Sequence, residues 1–120
     1  MRSFIVVTVL ACVLAALVPA TASAKAPPRG KYDCVISGNI LFGTIVIRSG
    51  ARYTHRGTRG RFTHGRARRD ARLGTVYPLR FRGGTLNNMK GRWYRTTSGR
   101  FEIALRNPRS NFESIYCTRA

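Results

Sequence analysis

The sequence predicts an all-β fold: a single small antiparallel up-and-down barrel, or a flattened sandwich, of about eight strands closed by one disulfide between the first and last of them. Three observations carry that expectation. Apolar and polar residues alternate with a period of two along several short runs. Clusters rich in glycine, serine and asparagine separate those runs, and two cysteines lie near the two ends of the region that folds. Alternation is what a half-buried strand needs, because successive side chains leave opposite faces of a sheet.

The folding region is set by the amino terminus. Met1-Arg2 is followed by an almost uninterrupted apolar run from Phe4 to Val18, and Ala22-Ser23-Ala24 offers the small-x-small pattern of a signal-peptidase site. Residues 1–24 are therefore expected to be a signal peptide, and residues 25–120 a single β domain, secreted or periplasmic/extracellular after cleavage near Ala24. The apolar run is about fifteen residues, short of the roughly 20 that a spanning helix needs, so no transmembrane span is expected in the mature chain. Val9-Leu10-Ala11-Cys12 looks like a loose lipoprotein box. Lipidation at Cys12 would leave the apolar Val13 to Val18 in the mature protein, so an ordinary leader residue is expected there instead.

Ninety-six residues remain after the leader, enough for one domain. A chain of this size buries only around 60–70% of its unfolded surface, so its core benefits from extra constraint. Cys34 and Cys117 are the expected source: an exported chain meets oxidising conditions, and two cysteines allow one intramolecular pairing. Closing a loop of this length contributes roughly 4 kcal/mol by the chain-entropy estimate. Metal binding is the alternative for the pair, but no histidines stand at finger spacing beside it. No cofactor or metal is expected.

The elements follow in order. Tyr32, Cys34 and Ile36 alternate with Asp33 and Val35; Tyr77, Leu79 and Phe81 with Pro78, Arg80 and Arg82; Phe101, Ile103 and Leu105 with Glu102, Ala104 and Arg106. Turn formers stand between the runs at Ser37-Gly38-Asn39, Ser49-Gly50, Gly57, Gly83-Gly84 and Thr97-Ser98-Gly99. Strands are expected near residues 31–36, 40–48, 51–56, 59–64, 74–82, 90–96, 99–106 and 111–118, and no stretch shows a helical stripe. Cys34 has the inward parity of the first strand and Cys117 shares parity with Ile115 on the last. A bond between them pairs the two outer strands and removes the exposed edges that invite aggregation, which favours a closed barrel over an open sheet.

Gly30-Lys31-Tyr32-Asp33-Cys34, Gly83-Gly84-Thr85-Leu86, Gly91-Arg92-Trp93-Tyr94 and Ile115-Tyr116-Cys117 together resemble a pattern found in small exported bacterial proteins of unknown function. More distantly the chain is similar to the eight-stranded up-and-down barrels of the lipocalin and avidin type. That second resemblance implies a barrel able to carry a small apolar molecule. Tyr32 stands where the Gly-x-Trp signature of those barrels has tryptophan, and no functional residue is carried over from either group.

Charge points to partners. Without the leader, twenty-one basic residues face Asp33, Asp70, Glu102 and Glu113, a balance of +17. A domain of this size then carries a positive potential over most of its surface, which attracts polyanions. Nineteen of the twenty-two basic residues in the full chain are arginine, whose planar fork suits bidentate contact with phosphate, carboxylate or sulfate. Arginine with abundant alanine and glycine is also what a GC-rich genome writes by default, so a merely solvated basic surface is the competing explanation.

The densest cluster is residues 51–72, with eight arginines, two histidines and one carboxylate. Gly57-Thr58 is expected to be a two-residue hairpin turn that pairs Arg56 with Arg59, Thr54 with Arg61 and Tyr53 with Phe62. Tyr53 and Phe62 then face the core. Opposed like charges are destabilising; an anion between the guanidinium groups makes such a pair easier to tolerate, and simple solvation and edge protection by charge explain it too. Gly65 to Arg72 is expected to extend the cluster as a loop or single helical turn. The candidate anion-binding residues are thus Arg52, Arg56, Arg59, Arg61, Arg66, Arg68, Arg69 and Arg72.

The candidate partners are a cell-wall polymer, an acidic polysaccharide, a nucleic acid or an anionic membrane surface. Single-strand platforms display aromatics among their basic residues; here only Tyr94 has the parity of an exposed one. Enzyme chemistry has few groups to work with. His55 and His64 are expected at opposite ends of one hairpin as strand-end residues, and no nucleophile or phosphate-loop motif is present. The expectation is a basic binding protein without catalysis. The alternatives are a small-ligand-carrying barrel and, below it, a secreted ribonuclease-like hydrolase.

Overall fold

The computed structural model describes residues 24–37 and 39–120. The expected leader, apart from Ala24, and with it Cys12, lies outside the described residues. Among the described residues nine strands form: β1 (Gly30–Ile36), β2 (Ile40–Arg48), β3 (Arg52–His55), β4 (Thr58–His64), β5 (Arg68–Asp70), β6 (Gly74–Arg82), β7 (Lys90–Arg95), β8 (Phe101–Arg106) and β9 (Ile115–Arg119). Every pairing is antiparallel, and β4 pairs with β6 while β1 pairs with β9. Those two contacts close eight of the strands into a barrel.

Within the expected loop or helical turn over residues 65–72, Arg68–Asp70 form a strand, flanked by irregular residues 65–67 and a turn at 71–73. β4 pairs with the second half of β6, from Arg61 opposite Arg82 to His64 opposite Leu79; β5 pairs with the first half, from Arg68 opposite Val76 to Asp70 opposite Gly74. Register steps by one residue between them. β4 and β5 are thus one barrel edge interrupted by a bulge, where the Gly65 N–H bonds the Pro78 carbonyl at 3.0 Å. A Cβ on Gly65 would lie 2.7 Å from Pro78 Cγ, so only glycine allows this approach.

Alternation decides what fills the barrel. Tyr32, Ile45, Tyr53, Phe62, Phe81, Ile103 and Leu105 point inward and are buried. Cys34 and Cys117 stand directly opposite each other on β1 and β9, and their disulfide joins first strand to last across a sequence separation of 83.

Both ends of the barrel are covered. At the end where β1 begins, residues 24–29 lie across the opening. Trp93 Nε1 donates to the Lys25 carbonyl at 2.9 Å, the Tyr32 hydroxyl donates to the Pro28 carbonyl at 2.6 Å, Pro27 is buried, and Ala24 bridges to Arg66. Burial pushes the Tyr32 hydroxyl up to about 12, opposed in part by the Arg119 charge. At the other end a single 3-10 turn, Gly84–Leu86, inserts the fully buried Leu86. The Tyr53 hydroxyl accepts the Leu86 N–H at 3.0 Å and donates to the Gly83 carbonyl. Tyr77 stacks on Trp93 at 4.4 Å and Phe101 meets it edge-on at 6.1 Å, so side chains occupy the space behind Trp93.

A second, small apolar cluster sits outside the wall. Tyr94, expected to be exposed, is 4% exposed. It has the predicted outward parity, but Val76, Ala104 and Leu73 from the β5–β6 turn pack over it. Its hydroxyl donates to Glu102, and burial followed by that carboxylate raises its pKa.

Candidate anion-binding groove

The β3–β4 turn fixes how the arginines line up. Arg56 and Gly57 both adopt positive φ, 48° and 73°, which makes them the two central residues of a hairpin turn of the kind whose twist matches its strands. The turn is therefore Arg56-Gly57 rather than Gly57-Thr58, and the register moves by two. His55 opposes Thr58, Thr54 opposes Arg59, Tyr53 opposes Gly60 and Arg52 opposes Arg61. A shift of two preserves facing: Tyr53 and Phe62 remain inside while Arg52, Arg59 and Arg61 remain outside. The expected Arg56–Arg59 opposition is replaced by Arg52–Arg61.

That pair is one step of a longer row. Arg48 opposes Arg52, Arg52 opposes Arg61, and Arg61 opposes Arg82, so four exposed arginines stand side by side on β2, β3, β4 and β6. Neighbouring strands lie about 4.8 Å apart. Like charges at that spacing are unfavourable, and no carboxylate offsets them. Among the described residues the ion pairs are Arg92 with Asp70 at 2.7 Å and Arg92 with Glu113 at 2.8 Å. Asp33 accepts from the Thr44 hydroxyl and Glu102 from Tyr94, so all four carboxylates are engaged away from the row.

The row lines a groove of about 520 Å³ formed with Tyr53, Thr54, Arg59, Gly60 and Gly83. Its floor is glycine for a packing reason: a Cβ on Gly60 would lie 2.6 Å from the Gly83 carbonyl and collide with the Tyr53 ring. A neighbouring depression of about 270 Å³, lined in part by Thr44, His55, Arg56 and Gly57, shares Arg48, Thr54 and Arg59 with it. Arg56 lies over the Phe42 ring at 5.4 Å.

Beneath this wall His55 is 2% exposed. Its Nε2 donates to the Phe42 carbonyl at 2.7 Å, and its Nδ1 shares a hydrogen bond with the Thr85 hydroxyl at 2.6 Å. The ring stacks on Phe42 at 4.7 Å. His55 therefore ties β3 to β2 and to the 3-10 turn. His64 closes β4 at the opposite end of the hairpin, beside Phe62.

The predicted arginines divide between two regions. Arg52, Arg59 and Arg61 line the groove, and Arg56 lines the adjoining depression. Arg66 lies at the bulge against Ala24, and Arg68 and Arg69 sit on β5 beside Asp70, Arg92 and Glu113. Arg72 follows in the turn whose backbone N–H groups bond the Asp70 carboxylate. Sequence reasoning missed Arg48 and Arg82. Arg48 was within reach, since the Ser49-Gly50 turn folds it back against Arg52. Arg82 was not, because its place beside Arg61 depends on barrel closure.

The chain matches no protein-family profile, no curated protein and no solved structure. The site is therefore read from its own geometry.

Proposed function

We propose that this chain is a secreted basic binding protein that holds an anionic extracellular polymer or surface in the groove on its outer wall. One observation carries the reading: Arg48, Arg52, Arg61 and Arg82 oppose one another in register on four adjacent strands with no carboxylate among them. Folding gains nothing from such a row. An anion lying over it relieves the repulsion and accepts several guanidinium forks at once. The disulfide and the leader-like amino terminus are consistent with export.

The experiment is binding of the purified mature domain to nucleic acids, wall polymers, acidic polysaccharides and anionic vesicles at 50 and 200 mM salt. Contacts by four or five arginines are expected to weaken by roughly 10²–10³-fold over that range through counterion release. Absence of binding to every anionic probe, or binding indifferent to salt, would overturn the reading.

A further inference from the structure

The basic row does not end at Arg82. Two residues along the same strands and on the same outer face, Thr63 on β4 opposes Arg80 on β6, Arg80 opposes Lys90 on β7, and Lys90 opposes Arg106 on β8. These four line a further groove of about 430 Å³. Residues two apart on a strand are about 6.7 Å apart, so the two rows join through the Arg61–Thr63 and Arg82–Arg80 steps. Seven cations, Arg48, Arg52, Arg61, Arg82, Arg80, Lys90 and Arg106, thus form one belt. It crosses six adjacent strands and stops at the β9–β1 seam, whose outer face carries Lys31, Asp33, Val35, Tyr116 and Thr118 and so has one cation among uncharged and acidic residues.

Building on the proposed polyanion-binding role, the geometry points to the class of polymer: a flexible single chain of phosphate groups that bends around the barrel, in preference to a rigid duplex. Eight strands complete a full turn, and with the strand tilt of roughly 35–45° usual in barrels each step between opposed residues rotates the outward direction by about 22–30°. Five steps turn the belt through about 110–150° over a path of about 24 Å. A straight rod touches such a surface along two or three strands only. Duplex DNA, with a persistence length of about 50 nm, resists bending to follow the rest. Along the belt Tyr53, Phe62 and Phe81 face inward and Tyr94 is covered, and the exposed Phe112 meets the belt at its Arg106 end alone, so no row of rings stands ready to stack successive bases. Recognition along the belt therefore uses the charged backbone, and the chain needs no bases.

The test uses the mature disulfide-bonded domain with four probes: inorganic polyphosphate of graded length, poly(glycerol phosphate), single-stranded oligonucleotide and duplex DNA of equal phosphate count. The first three are expected to bind alike and more tightly than the duplex. Affinity should rise with length until a chain spans the belt and then level off. Seven contacts give a slope of log K against log salt of about −5 for a single chain. Arg80→Gln with Lys90→Gln should make that slope shallower by about 1.4 for long chains and leave chains too short to span both rows unaffected. Arg95→Gln with Arg100→Gln, which lie off the belt, should change it far less. Duplex binding as tight as single-chain binding, or long-chain slopes unmoved by the Arg80 and Lys90 pair, would defeat the wrapped chain while leaving the groove intact. Preference for the oligonucleotide alone would overturn base-independent recognition. Salt-insensitive or absent binding of every probe would remove the underlying polyanion reading itself.

Discussion

Cys34 stands directly opposite Cys117 where β1 meets β9, so the covalent bond lies at the seam that turns a sheet into a barrel.

Cys34→Ala with Cys117→Ala removes the constraint on a loop of 83 residues. The loss is about 4 kcal/mol, and for a domain of this size that corresponds to a drop in Tm of roughly 15–30 °C. Thermal melts followed by circular dichroism check it. A variant melting within a few degrees of the parent would show that strand pairing alone seals the barrel.

His55→Leu fills a similar volume and breaks both imidazole bonds. The Phe42 carbonyl then loses its partner, while the exposed Thr85 hydroxyl keeps its bond to Thr58. An unsatisfied buried group costs about 1–3 kcal/mol, so urea unfolding should show a loss in that range. Thr85→Val should lose less, because it leaves the Phe42 bond in place.

Asp70 titrates low. A hydrogen bond from Arg92, then those from the Leu73 and Arg72 backbone N–H groups, hold its carboxyl near 2, below its ordinary 3.8. A carboxyl lowered on folding stabilises the folded state above its unfolded pKa, and that contribution disappears as pH falls through 3.8 towards 2. Melting temperature should therefore decline across that window, and Asp70→Asn should show a shallower decline. Parallel curves for the two proteins between pH 4 and 2 would contradict the assignment.

Gly60→Ala tests the glycine floor. The added methyl meets the Gly83 carbonyl and the Tyr53 ring, and Tyr53 in turn holds Leu86 in the barrel end. Overpacking of this kind costs typically 1–3 kcal/mol. Denaturant unfolding should show a loss in that range; no loss would mean that the floor has room.

Much of this architecture was legible from alternation and punctuation. The bounds of β2 and β6 coincide with the expected 40–48 and 74–82, since Ser37-Gly38-Asn39 and Ser49-Gly50 bracket the first and Gly83-Gly84 ends the second. β5 escaped notice because Arg68-Arg69-Asp70 has no apolar alternation. It is a strand only because β6 offers an edge and the Gly65 bulge shifts the register towards it. The hairpin register was off by two because Arg56, which has a Cβ, occupies a positive-φ position. Glycine was the only residue the sequence marked as able to do so. Facing survived the error, and the candidate groove survived with it in part: Arg52, Arg59 and Arg61 were legible, whereas Arg82 required a pairing between strands with β5 between them in sequence. Tyr94 was assigned the correct face, yet a turn folded over that face cannot be read from parity.

On the proposed reading, the arginine row is kept for an anion and opposes folding. Arg61→Thr separates the two, since it removes the charge between Arg52 and Arg82 and places a good strand former on the wall. Relief of two like-charge oppositions should stabilise the free domain by about 0.5–2 kcal/mol. The same change should weaken polyanion binding and make its salt slope shallower by about 0.7. Paired measurement of unfolding free energy and of polyphosphate affinity on this one variant is the most direct test: higher stability with weaker binding is the outcome predicted, and unchanged or lower stability with undiminished binding would contradict it.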